Sequence, residues 1–161
     1  MEYGGLFRLY DMSEPWNGPN NRKLADKMPA AFRCPGAALD EGCPLTNYVV
    51  VVGEDTVFPG AKTVSTSDVT DGTEHTVAIV EIENSDIHWM EPRDLRFEEL
   101  PLTENGTAGP RISGPHDDGP TVGLANGSVD RISPSLPPEK WRALLTRSGA
   151  EDVRLQECES R

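Results

Sequence analysis

Apolar and polar positions alternate most regularly in residues 120–149. Thr121, Val122, Gly123 and Leu124 lead into Asn126-Gly127, and Val129, Arg131 and Ile132 follow with alternating character. Asn-Gly between two such runs favours a tight type I′ turn, since both central residues need positive φ, and so predicts a hairpin. Residues 133–139, Ser-Pro-Ser-Leu-Pro-Pro-Glu, then offer a side-chain cap, proline in the first turn and an early acid. That combination predicts a helix over 138–147. Trp141, Leu144 and Leu145 fall at i, i+3 and i+4 and make one apolar stripe, and Gly149 stands where a C′ glycine is expected.

Residues 48–52, Tyr-Val-Val-Val-Val between Asn47 and Gly53, predict a core strand buried on both faces. Residues 76–83 alternate, with Ala78, Val80 and Ile82 on one face and Val77, Ile79, Glu81 and Glu83 on the other. Glu81 therefore lies in line with apolar neighbours and needs a partner, for which Arg93 and Arg131 are the candidates. Nearer the N-terminus, Leu6, Phe7, Leu9 and Tyr10 form an apolar patch that reads as the end of something longer. Asn20 is placed to cap a short helix over 21–27, with Leu24 and Met28 inward and Trp16 packed on it. Asp71-Gly72 reads as a turn, 88–95 as a loop and 103–119 as a long surface excursion. The expected fold is α+β: a small antiparallel sheet with short flanking helices, one domain over 1–153 and a charged tail at 154–161.

Composition narrows the class. At 161 residues and 36% hydrophobic content the chain suits one domain, and 15 glycines, 14 prolines and a mean hydropathy of −0.49 favour turns over a helical bundle. A formal charge of −12 argues against nucleic acid and anionic membranes as partners. No apolar run approaches the roughly 20 residues of a membrane helix, and residues 1–5 lack the regions of a signal peptide, so the chain reads as soluble.

Candidate chemistry is sparse. Cys34 and Cys43, each followed by proline, suit a small local disulfide or two free thiols equally well, and Cys158 reads as unpaired. No second Cys or His pair lies at zinc-ligand spacing. His75, His88 and His116 are the only histidines, and none sits in a nucleophile, metalloprotease or phosphate-loop motif. Spacing gives no support to a pair of Cys34 or Cys43 with His116. Glu81, Glu91 and Asp94 could act as acid/base carboxylates, but a buried ion pair with Arg93 is the preferred reading, and no catalysis is expected. Asp117-Asp118-Gly119 and Asp68 with Asp71-Gly72 carry oxygens of the kind Ca²⁺ takes, although neither has EF-hand spacing and Asp-Gly is commonly a turn. Trp16, Trp89 and Met90 could form a sugar- or peptide-binding face, though core is the commoner place for tryptophan.

The succession Phe32-Arg33-Cys34-Pro35, Thr46-Asn47-Tyr48, residues 68–73 (Asp-Val-Thr-Asp-Gly-Thr), Val80-Glu81, residues 89–95 (Trp-Met-Glu-Pro-Arg-Asp-Leu) and Gly127-Ser128-Val129 carries a resemblance. It resembles a large bacterial family of prepilin-like proteins of unknown function, some labelled solute-binding proteins. Members have a prepilin-type N-terminal cleavage and methylation region and a C-terminal H-X9-DG element. The likeness covers most of the chain. His116 takes the histidine position, and after nine intervening residues Asn126-Gly127 stands where the family has Asp-Gly. The resemblance implies a non-catalytic, pseudopilin-like globular head partnered by other pilin-like subunits or secretion components. It further implies a place in the periplasm or at the cell surface; no cofactor is expected, with calcium, which secretion pseudopilins often hold in a late loop, as the one alternative. Two departures stand out. The amide at Asn126 removes a carboxylate, and the family's N-terminal apolar helix is missing, as in a fragment, a misplaced start or a shed paralogue. A soluble module binding calcium, sugar or peptide is the rival expectation.

Overall fold

The computed structural model describes residues 4–40, 42–100 and 112–149. Within them the chain is an α+β protein with one five-stranded mixed sheet and few helices. The strands are β1 (Tyr48–Val52), β2 (Val77–Glu81), β3 (Leu95–Arg96), β4 (Thr121–Leu124) and β5 (Val129–Arg131), in the spatial order β3-β1-β2-β4-β5. Helix α1 is Gly4–Leu9 and α2 is Pro138–Leu145, with 3₁₀ turns at Asn21–Lys27, Ala30–Phe32, Thr66–Asp68 and Phe97–Glu99. None of these helices is long and apolar enough to cross a membrane.

The sheet is mixed rather than antiparallel because β3 runs parallel to β1, pairing Val51 with Leu95 and Val52 with Arg96. A two-residue strand is too short to show alternation, so the sequence there reads as loop. Asp94 fixes its approach by accepting the Val50 N–H at 3.1 Å. β1 is not buried on both faces: Val49 and Val51 enter the core, whereas Tyr48, Val50 and Val52 are half-buried.

β2 is the central strand, antiparallel to β1 and to β4. A register shift between Val77 and Ile79 breaks its alternation, so Val77 and Val80 both face the core and Ile79 is exposed. The division of faces expected from the sequence is lost at that irregularity. Glu81, the next residue along the pleat after Val80, points to the other side of the sheet and is fully buried.

The hairpin between β4 and β5 is present, with Gly123 opposite Val129 and Thr121 opposite Arg131. Its turn is a three-residue loop instead of a type I′ turn. Gly127 N–H donates to the Leu124 carbonyl at 2.9 Å, which puts Ala125 and Asn126 at the centre, and Gly127 follows with φ +86°. Asn126 is used locally, its Oδ1 accepting the Ser128 N–H at 2.9 Å and hydroxyl at 2.7 Å. The backbone N–H groups of Ala125 and Asn126 donate to Thr76 and Thr73, tying the turn to the approach of β2.

α2 buries Trp141, Leu144 and Leu145 as the stripe predicts, and they join Val80, Ile82, Val122 and Ile132 in the core. It ends earlier than expected, at Leu145, and has no side-chain cap; Pro137 precedes it. Gly149 is not its C′ residue. Thr146 closes the helix in an extended conformation, and the Gly149 N–H donates to Asp71 instead. Residues 21–27 form a 3₁₀ helix with Leu24 buried and Met28 half-buried. The Asn20 side chain does not cap it; Glu14 Oε1 accepts the N–H groups of Asn20 and Asn21. Trp16 lies against His88, with ring centroids 4.8 Å apart and planes tilted by 33°. Most of the surface excursion at 103–119, the tail at 154–161 and Cys158 lie outside the described residues.

Candidate functional site

The end of β2 carries the most unusual polar group of the fold. Glu81 is fully buried, one of its oxygens accepts the Thr121 N–H at 2.7 Å, and the other, Oε1, has no hydrogen-bond partner. An unsatisfied buried carboxylate oxygen is costly and calls for an explanation. That oxygen lies 3.8 Å from His116 Nε2, and the same nitrogen lies 3.2 Å from Cys34 Sγ. Neither Arg93 nor Arg131 partners Glu81 as expected. Arg93 is taken by Asp86 and Glu91, and Arg131 by Asp118.

Each member of the cluster is held by its own support. Cys34 follows the 3₁₀ turn Ala30–Phe32, and its N–H donates to Asn47 Oδ1 at 3.0 Å. Asn47, also fully buried, donates from Nδ2 to the Ile82 carbonyl at 3.1 Å, so one side chain ties the Cys34 loop to the end of β2. His116 sits in the segment that precedes β4. Gly36 lets the imidazole come close: a Cβ there would stand 3.1 Å from His116 Cε1. Gly114 lies against the carboxylate, where a Cβ would come within 2.5 Å of Glu81 Oε2. Gly119, at φ +100°, turns the chain into β4 and donates its N–H to the His116 carbonyl at 3.0 Å.

The surroundings keep the Cys34 thiol protonated. Burial, and then the neighbouring Glu81, push the Cys34 thiol above its ordinary pKa. Burial, and then the charge of Glu81, also push the Tyr48 phenol up, with Cys34 adding to the effect. A thiol held protonated is the opposite of an activated nucleophile. Sulfur, nitrogen and oxygen atoms within 4.8 Å of one another do, however, match the donor set of a divalent transition metal.

The residues singled out in the sequence are dispersed. Cys34 and Cys43 are free thiols, not a disulfide. Cys34 turns to His116, while Cys43 lines a separate depression of about 230 Å³ with Asp26, Met28, Ala30, Arg33 and Gly42. The acidic candidates for calcium do not gather, because local bonds take them up. Asp118 pairs with Arg131, Asp68 accepts the Ser65 N–H at 2.8 Å and hydroxyl at 2.9 Å, and Asp71 accepts the Gly149 N–H at 2.7 Å. Asp117 is exposed. Glu81, Glu91 and Asp94 form no acid/base pair, each having its own separate contact. The two ends of the H-X9 element, His116 and Asn126-Gly127, are likewise engaged apart, one in the buried cluster and the other in the hairpin turn.

Sequence reasoning set aside the Cys34–His116 pair and missed its link to Glu81. The polar position at 81, inside an apolar strand, was the one usable signal. Among the described residues, Cys34, Glu81 and His116 are the only three potential metal ligands brought together. Comparison of the chain with protein-family models, curated proteins and solved structures gave no match.

Proposed function

We propose that this chain is the globular head of a prepilin-like protein of the H-X9-DG kind, a non-catalytic domain that works through contacts with other pilin-like subunits or secretion components outside the cytoplasm. One observation carries the reading. Three of the six short motifs on which the resemblance rests meet at a single place, together with the histidine of the H-X9 element: Cys34 from Phe-Arg-Cys-Pro, Asn47 and Tyr48 from Thr-Asn-Tyr, Glu81 from Val-Glu, and His116. A set of motifs that jointly builds one buried framework is what a shared fold requires. The raised pKa and burial of Cys34 support the absence of nucleophilic chemistry.

The test is the state of the native protein in its own cell. Fractionation and mass spectrometry of the N-terminus should find a membrane-anchored, prepilin-processed form that cross-links to similar subunits. A native polypeptide starting at Met1 and confined to the cytosol would overturn the proposal. A ligand-binding module is the second reading, and the row Trp16, His88, Trp89 and Phe32 favours it, with successive ring centroids 4.8, 6.3 and 6.0 Å apart. Quenching of tryptophan fluorescence by a glycan or peptide would select it.

A further inference from the structure

We infer that Cys34, Glu81 and His116 form a binding site for one thiophilic divalent cation of the zinc class. The unsatisfied oxygen is the first reason. Glu81 Oε1 is buried without a hydrogen-bond partner, yet its sister oxygen is anchored on the Thr121 N–H, so the carboxylate is oriented with a free lone pair toward His116. A metal ion satisfies that lone pair as a hydrogen bond otherwise would.

The second reason is geometry. A tetrahedral zinc ion, with bonds of about 2.3 Å to sulfur and about 2.1 Å to nitrogen and oxygen, sets sulfur and nitrogen ~3.6 Å apart and nitrogen and oxygen ~3.4 Å apart. The corresponding distances here are 3.2 Å and 3.8 Å, and sulfur and oxygen lie within 4.8 Å of each other where zinc sets them ~3.6 Å apart, so closure of the three side chains by up to about 1 Å completes the site. The third reason is charge. On binding, the Cys34 thiol gives its proton to solvent, and the resulting thiolate and the Glu81 carboxylate together neutralise a dication. Calcium and magnesium prefer all-oxygen shells and are poorly served by this donor set.

Supporting contacts of the kind that orient metal ligands are already in place: Thr121 N–H on Glu81, Asn47 on the Cys34 backbone, and Gly36 against the imidazole. The His116 side chain is 23% exposed while Glu81 is fully covered, so the ion enters from the histidine side and solvent supplies the fourth ligand. The ligands come from three distant segments, and the ion would hold the Cys34 loop, β2 and the entry to β4 together.

Co²⁺ titration of the purified, reduced full chain tests this, with Zn²⁺ added afterwards as competitor. One equivalent of Co²⁺ should give a thiolate-to-cobalt charge-transfer band with tetrahedral d–d intensity, one equivalent of Zn²⁺ should remove it, and Zn²⁺ should raise Tm relative to EDTA. Cys34→Ser should abolish the band, and a Cys43→Ser/Cys158→Ser double variant should keep it. Glu81→Gln can fail to fold, so His116→Ala, at the exposed edge, carries the affinity test. It should keep its circular dichroism spectrum and lose at least about tenfold in Co²⁺ affinity. No charge-transfer band in the wild type, a band that survives Cys34→Ser, or unchanged affinity in His116→Ala would each overturn the site.

Discussion

Gly119 and Gly127 both adopt positive φ, but a methyl group would meet different surroundings at each. At Gly127 a Cβ has open space, so Gly127→Ala pays only the left-handed backbone cost of about 1–2 kcal/mol. At Gly119 the same Cβ would stand 2.1 Å from the Ile132 carbonyl oxygen, and Pro134 closes the other side. Gly119→Ala should therefore cost more than about 3 kcal/mol in urea unfolding, and equal losses at the two sites would contradict the packing around Gly119. His88 gives a pH signature at the same scale. Burial between Trp16 and Trp89 lowers its pKa below 6.5, with Glu91 opposing weakly. The folded state thus prefers neutral imidazole, and the associated stability is present above pH 6.5 and is lost as pH falls through the lower folded value. Tm should decline across that window, and His88→Gln should flatten the decline; an unchanged slope in the variant would remove His88 as the cause.

Among the elements, α2 is the one whose removal should be felt most. Leu144 is nearly fully buried, so Leu144→Ala should lower stability by about 2–5 kcal/mol, read from a denaturant midpoint with unchanged m-value. Arg147 secures the far end of this segment, its guanidinium donating to the carbonyls of Glu54 and Thr56, both at 2.6 Å. How much of this was legible follows from the range of each signal. Trp141, Leu144 and Leu145 announce a helix because the period is local, and the runs at 48–52 and 121–124 announce strands for the same reason. β3 escapes notice since two residues carry no period, and the faces of β2 are misassigned since its register shift is set by β4. The cluster is harder still. Cys34 and His116 are 82 residues apart, and nothing local links them. Only Glu81, a charge where the strand pattern calls for an apolar residue, marked the place where loops would have to cover the sheet.

The whole molecule carries −12 at neutral pH, with 27 acidic side chains against 15 lysines and arginines. Self-repulsion of that size favours the expanded chain, so added NaCl should raise Tm by screening; a Tm that falls with salt would mean that the ion pairs of Arg93 and Arg131 outweigh the net repulsion. The same charge discourages close approach of copies except where counter-charges or cations intervene.

The two outer strands add a geometrical limit to that electrostatic one. β3 has two residues and β5 three, so each margin of the sheet offers only a few free backbone groups to an incoming chain. Such short margins are poor templates for another molecule's backbone. Among the described residues the sheet therefore offers little to β-augmentation, and a filament containing this domain would be cemented mainly by side chains. Single surface substitutions, which a backbone-to-backbone lattice would tolerate, should then be enough to change which neighbour it accepts.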